Sequence, residues 1–352
     1  MRHDVATLAE LGDFDAILDV RSPAEFAEDH VPGALNVPVL DDEERARVGT
    51  LYKQVSPFAA RKVGAALVAR NIARHLEAHF SEYPRTWRPL VYCWRGGKRS
   101  GSMTHVMREV GWDAKQLDGG YKSFRRGVID DLEALPANLR FRVVCGMTGS
   151  GKSRLLGVLG RQGAQVLDLE GLAAHRGSVL GGLPAEPQPS QKAFETRLWC
   201  ALRALDPARP TFVESESRRI GTVHLPEAFI TKLRGSPCLQ LVTAPVARVA
   251  LLVDEYAHFF DDPDLLSSKL EALTPLHGKD TIRRWLDLVA GRAWEPLVEE
   301  LLVRHYDPTY LRSMTANYEG FGTASVVQVD AFTPEAFDHA ASQAVASATG
   351  PA

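Results

Sequence analysis

Phe141-Arg142-Val143-Val144-Cys145-Gly146-Met147-Thr148-Gly149-Ser150-Gly151-Lys152-Ser153 joins a short apolar strand to a full Walker A loop. Residues 154–159 continue it as a helix. A strand that delivers a glycine-rich turn to a helix start gathers backbone N–H groups and the positive end of a helix dipole around one site. Those N–H groups would wrap a diphosphate, Lys152 would neutralise it, and Ser153 would ligate Mg²⁺. Gly146, Thr148, Gly149, Ser150, Gly151, Lys152 and Ser153 are thus the expected diphosphate-binding residues. The loop specifies phosphate binding and not nucleotide hydrolysis, because nothing nearby identifies a base that would activate water.

Further strands are expected at residues 164–169, 211–214, 239–243 and 325–329, with helices between them. That alternation predicts a P-loop NTPase-like, doubly wound parallel sheet. Thr211-Phe212-Val213-Glu214 reads as the second acidic strand of such a site, with Glu214 as a water-mediated Mg²⁺ partner and Glu216 as its alternative. Residues 246–317 carry amphipathic runs and almost no strand signal, which predicts a helical insertion or lid. Ligands of open α/β sheets bind at the carboxyl ends of strands. The polar loops 168–178, 188–191 and 214–221 should therefore converge near the Walker loop. For His305, in His305-Tyr306-Asp307-Pro308, turn or capping chemistry is the expectation.

Upstream lies a second α/β unit. Residues 16–20 read as a buried strand, Ser22 as the N-cap of a helix opened by Pro23, residues 30–34 as a turn leading to a strand at 35–37, and residues 61–80 as helical. Leu90-Val91-Tyr92 is a strand ending at Cys93-Trp94-Arg95-Gly96-Gly97-Lys98-Arg99-Ser100, and a helix follows near residues 102–110. A thiol acts as a nucleophile only when ionised; a helix N-terminus, Arg95, Lys98 and Arg99 all favour the thiolate. Gly96 and Gly97 would let the backbone curl so that its N–H groups face one oxyanion. Residues 130–139, with Pro136, read as a linker, which gives domains at 1–134 and 135–352.

A chain of 352 residues suits two domains, and 45% hydrophobic with 24% charged residues is ordinary for a globular protein. No stretch approaches the ~20 apolar residues of a membrane helix, and residues 1–15 lack a signal-peptide pattern, so a cytoplasmic protein with no membrane partner is expected. The four cysteines, Cys93, Cys145, Cys200 and Cys238, follow neither metal-ligand nor disulfide spacing. The net charge of −3 hides a polarity: residues 1–60 hold 5 Lys+Arg against 12 Asp+Glu, and residues 61–126 hold 14 against 5. The basic block fits an RNA backbone, a small anion or an unevenly charged surface.

Asp19-Val20-Arg21-Ser22-Pro23-Ala24-Glu25-Phe26, His30-Val31-Pro32-Gly33-Ala34-Leu35-Asn36-Val37-Pro38, Cys93 and Leu117-Asp118-Gly119-Gly120-Tyr121 resemble the rhodanese pattern in order. The resemblance implies that Cys93 handles sulfur or selenium and that the Asp19–Arg21 pair and the Pro32-Gly33 turn are structural. Five residues separate Cys93 from Arg99, one more than in typical sulfur-transferring rhodaneses. Rhodanese-like phosphatases have a loop of that size, which suggests a phosphate-like donor. With the Walker loop, Leu169-Glu170-Gly171, His175-Arg176-Gly177-Ser178, Glu214-Ser215-Glu216-Ser217-Arg218 and His305-Tyr306-Asp307-Pro308, nearly the whole chain resembles the bacterial tRNA 2-selenouridine synthase family.

That resemblance implies a transferase acting on the wobble uridine of tRNAs for Lys, Glu and Gln. Sulfur at C2 would be exchanged for selenium from selenophosphate, through an S-geranyl intermediate made with geranyl diphosphate. Cys93 would be catalytic, with Arg95, Gly96, Gly97 and Arg99 holding selenophosphate; the Walker loop would hold the geranyl donor, with Mg²⁺ at Ser153 and Glu214. Residues 246–317 would house the geranyl chain. Arg61, Lys62, Lys122, Arg125 and Arg126 are the expected tRNA contacts, and an enzyme supplying selenophosphate is a further partner. No tightly bound organic cofactor is expected. Other classes remain open: a rhodanese-type sulfurtransferase coupled to an ATP-using domain, a phosphatase-like enzyme, or a non-catalytic nucleotide sensor.

Overall fold

The computed structural model describes residues 4–178, 181–182 and 187–349. Two compact units divide the chain at Asp131 and Leu132. In the first, β1 (Val5–Ala6), β2 (Ala16–Asp19), β3 (Leu35–Asn36), β4 (Pro89–Tyr92) and β5 (Lys115–Leu117) form one sheet in the order β1-β5-β4-β2-β3. Every pairing is parallel. Central β4 is buried at all four positions, as expected of a parallel strand covered on both faces. Helices Pro57–His75 and Lys98–Val110 bring Leu67, Val68, Ile72, Met103 and Met107 to the core that also holds Leu18 and Val91. The expected helix over residues 61–80 therefore begins earlier, and its last five residues, Leu76–Phe80, widen into a π-helical turn.

The expected linker at residues 130–139 is helical instead. Gly120–Asn138 is one helix, with Pro136 inside its last turn. Leu132, Pro136 and Leu139 are all buried, at helical spacing, so burial of that face outweighs the hydrogen bond the proline forgoes near the helix end.

In the second unit β6 (Arg140–Cys145), β7 (Gln165–Leu167), β8 (Pro210–Glu214), β11 (Cys238–Thr243) and β12 (Ser325–Val329) order as β12-β11-β6-β8-β7, again all parallel. A small antiparallel ribbon pairs β9 (Arg219–Ile220) with β10 (Val223–His224). Helices Lys152–Arg161 and Pro334–Thr349 pack on the sheet through Leu155, Leu159, Phe337 and a run of alanines. Between β11 and β12, residues 245–317 are helical and build a separate apolar cluster around Phe259, Leu266, Ile282, Trp285 and Leu301. Among the described residues, no helix is long and apolar enough to cross a membrane.

Candidate functional site

Each unit presents its own constellation at the carboxyl end of a central strand. In the first, Cys93 directly follows β4, and its carbonyl accepts the Tyr121 N–H at 2.9 Å. Trp94 O accepts the Lys122 N–H at 2.9 Å, so the loop is tied to the start of helix Gly120–Asn138. These contacts explain two glycines. Gly96 has φ +63°, and a Cβ there would lie 2.8 Å from Leu117 O; one at Gly120, φ +59°, would lie 2.3 Å from Cys93 O. Gly97 has φ −94° and a Cβ there would meet nothing within 4 Å, so the expected backbone curl uses glycine's freedom at Gly96 and not at Gly97.

The Cys93 sulfur is buried and receives two donors, Gly97 N–H at 3.3 Å and the Ser100 hydroxyl at 3.1 Å. Arg99 does not lie free beside it. Its guanidinium meets Glu25 at 2.7 and 3.4 Å. Burial works to raise the Glu25 carboxyl and Arg99 outweighs it, holding that carboxyl below its ordinary range. An oxyanion would thus share Arg99 with Glu25. Arg95 and Lys98 are exposed on the loop.

Below it, Arg21 is buried against Asp19, with its Nη2 at 2.6 Å from both Asp19 and Asp29 O, and 4.0 Å over the Tyr121 ring. This is the structural pair expected. Arg61 and Lys62 are exposed on helix Pro57–His75; Lys122 and Arg126 are exposed and Arg125 half-buried on helix Gly120–Asn138.

In the second unit the Walker loop bends between β6 and helix Lys152–Arg161. Beside it opens a cavity of about 630 Å³, reached by Glu170, His175, Ser215, Glu216, His305 and Tyr310. Lys152 Nζ donates to Gly146 O at 2.7 Å and lies 5.6 Å over the Tyr310 ring. Residues 245–317 clamp the loop. Buried Arg248 donates to Thr148 O at 2.8 Å and is held by Asp307 at 2.5 and 3.0 Å, while the Gly146 N–H donates to the Tyr310 hydroxyl at 2.6 Å. Sequence reasoning noted Asp307 within a motif and missed Arg248 and Tyr310, which no local pattern marks.

The carboxylates differ from the expectation. Ser153 donates to Glu170 at 2.9 Å, not to Glu214. Glu214 is buried behind: one oxygen accepts the Glu170 N–H at 2.8 Å and the other has no partner. Burial, with the nearby Asp168 charge, pushes the Glu214 carboxyl well up. Ser153 and Glu170 therefore present the oxygens that fit Mg²⁺, a cation bound through few protein ligands with phosphate and water completing the shell. Among the described residues, no group of three His, Cys, Asp or Glu side chains could cage a metal by itself.

Burial and the Glu170 charge push Glu216, on the cavity wall, up to about 8 from an ordinary 4.5. The folded chain keeps this proton where the unfolded chain has lost it, so the stability it contributes is present below pH 4.5 and is lost as pH climbs to about 8. Glu216→Gln should match the parent in acid and exceed it at alkaline pH by up to about 5 kcal/mol, at about 1.4 kcal/mol per pH unit between the two values. Urea midpoints of the unliganded proteins across that range test this; identical pH dependence in the two would refute it.

Of the expected loops, 168–178 reaches the cavity, 214–221 reaches it through Ser215, Glu216 and Ser217, and 188–191 does not. Gln188 donates to Ala173 O and Ile220 O, Gln191 bonds both backbone groups of His224, and Ser190 caps helix Gln191–Arg203. His305 is neither a cap nor a turn residue. It lies in a π-helical turn, Leu302–Tyr306, lines the cavity, and meets His277 at 2.9 Å.

An apolar crevice adjoins the cavity. Thr148, Leu252, Tyr256 and Tyr306 line both, and Phe259, Phe260, Leu266, Leu297 and Leu301 continue the crevice into the helical region. It holds about 40 Å³, roughly one water.

The tRNA 2-selenouridine synthase AAA domain family matches residues 139–269, and the rhodanese-like domain family matches residues 2–126. Relatives include a tRNA 2-selenouridine synthase of Alcanivorax borkumensis, 37% identical over 81% of this chain and 80% of that one. One of Marinobacter nauticus is 35% identical over 85% and 88%. One of Nitrosomonas europaea is 38% identical over 68% of this chain, with 63% of that relative's length covered.

Proposed function

Because this chain belongs to the tRNA 2-selenouridine synthase family, we propose that it exchanges sulfur for selenium at the wobble uridine of tRNA, in two steps served by the two constellations. The P-loop cavity takes geranyl diphosphate. The sulfur of 2-thiouridine attacks C1 of the geranyl chain, pyrophosphate leaves, and the N3 proton is released. Selenium from selenophosphate then adds at C2 and geranyl thiol departs. Water gives its oxygen to phosphorus as phosphate and its protons to N3 and the thiol.

One observation carries this reading: a phosphate cradle that runs into an apolar crevice suits a molecule with a diphosphate head and a hydrocarbon tail. The crevice would widen around the tail by movement of Phe259, Phe260 or Leu301. Lys152 would leave Gly146 O for the diphosphate, and Ser153 with Glu170 would hold Mg²⁺, whose charge favours pyrophosphate departure. Cys93, Gly96, Gly97 and Arg95 would hold selenophosphate, with Arg99 contributing whichever donors Glu25 leaves. Arg61, Lys62, Lys122, Arg125 and Arg126 would meet the tRNA backbone of the Lys, Glu and Gln acceptors.

The test is reconstitution. Purified protein, thiolated tRNA, geranyl diphosphate, selenophosphate and Mg²⁺ should yield S-geranyl-2-thiouridine and then 2-selenouridine by nucleoside mass spectrometry. Thiolation of unmodified uridine from thiosulfate with ATP consumption would instead show a sulfurtransferase.

A further inference from the structure

Among the described residues, Ser100 is the one side chain that donates to Cys93 Sγ, and a hydroxyl can turn elsewhere. The alternative acceptor is Gly97 O, 3.3 Å from Ser100 Oγ. Gln116, on β5, closes that alternative. Its amide nitrogen lies 3.0 Å from Gly97 O and 2.7 Å from Ser100 Oγ. A carbonyl oxygen only accepts, so the atom facing Gly97 O is the NH₂ group, which identifies the amide orientation from chemistry. Gly97 O also accepts the Gly101 N–H at 3.0 Å, so both of its lone pairs are engaged. The second Gln116 hydrogen points at a lone pair of Ser100 Oγ. What remains for the Ser100 proton is the sulfur.

We infer that Gln116 is a positioning residue for the chalcogen chemistry at Cys93: by donating to both Ser100 Oγ and Gly97 O, it commits the Ser100 hydroxyl to the sulfur. The inference rests on the reading of Cys93 as the chalcogen-handling thiol. Two donors converging on one buried sulfur suit a negative charge there, because a hydrogen bond to an ionised acceptor is about twice as strong as one to a neutral acceptor. Ser100 is fully buried, so no water substitutes for a hydroxyl that turns away. The charged groups around the loop are Arg95 and Lys98 upon it, the Arg99–Glu25 pair reaching helix Pro23–Glu28, Asp118 after β5 and Lys122 on helix Gly120–Asn138. None of these changes in the variants below.

The experiment is a thiolate titration of the whole chain, followed by the ultraviolet absorbance that is absent in Cys93→Ser. Gln116→Leu frees the hydroxyl to swing to Gly97 O and should move the titration to higher pH by about one unit, tenfold in the thiol–thiolate equilibrium. Gln116→Glu offers a carboxylate that accepts the hydroxyl proton and should move it at least as far. Ser100→Ala should match or exceed both. In the Ser100→Ala background, Gln116→Leu should then add nothing, because the amide acts only through the hydroxyl. An unmoved titration in Gln116→Leu and Gln116→Glu overturns the inference, as does a shift from Gln116→Leu that persists undiminished without Ser100. Thermal melts confirm that each variant folds, and the two Gln116 variants stand in for one another if one does not. The readout needs neither tRNA nor donor. A chain with this titration behaviour that leaves tRNA unchanged would therefore refute the functional reading alone.

Discussion

Cys93→Ser is expected to lower selenation of geranylated tRNA by on the order of 10³-fold or more while leaving geranylation within about twofold. The substitution keeps the size of the group and both donors, Gly97 N–H and the Ser100 hydroxyl. What it removes is an acid weak enough to form and strong enough to ionise: a serine hydroxyl stays protonated at neutral pH and neither takes selenium nor steers it by charge. Geranylation should survive because all residues lining the P-loop cavity belong to the second unit. The two products are separated by mass, so one incubation reports both steps. Equal loss of both steps in a folded Cys93→Ser protein would show that the division of labour between the constellations is wrong.

Lys152→Ala should reverse the pattern. Geranylation should fall by about 10²–10³-fold, the usual cost of deleting one preorganised group that stabilises developing negative charge. Selenation of tRNA supplied already geranylated should continue. The ammonium rests on Gly146 O and above the Tyr310 ring, within the loop a diphosphate would occupy. Its removal therefore takes away charge without taking away a buried support. The cradle itself stands on Arg248, Asp307 and Tyr310, which the substitution does not touch. A variant that still alkylates 2-thiouridine at the parent rate would refute the assignment of the diphosphate to this loop.

Both phosphate-type loops were legible because each is made by consecutive residues. A loop between a strand and a helix takes its course from its own glycines and from the helix start that follows, so glycine spacing announces it, although distant residues complete its hydrogen bonds. Of the twelve strands among the described residues, seven were likewise visible as short runs: β2, β3, β4, β6, β8, β11 and β12. β7 came out shorter than expected, because Leu169 already begins a helix capped by Asp168. β1 and β5 escaped, being two and three residues long: β5 is completed by pairing with β4 and β1, and β1 by pairing with β5 at the sheet edge. The units divide within residues 130–139, but the segment is helical and no open linker, because Pro136, a breaker in isolation, is overridden by burial of one helix face.

What amino-acid order determined alone is the pair of loops, the α/β character of each unit, the parallel sheet of the second and the helical stretch between β11 and β12. What tertiary structure decided is which charge answers which. Glu25 takes Arg99 across 74 residues, Asp307 takes Arg248 across 59, and Tyr310 meets Gly146 across 164. Glu170 displaces Glu214 at Ser153, and His305 turns inward to His277. The reason is physical: backbone loops are stabilised by local geometry that a few residues encode. The partner of a side chain is set by sheet order and by burial, which makes an unpaired charge too costly to leave and so recruits whatever opposite group the fold brings near.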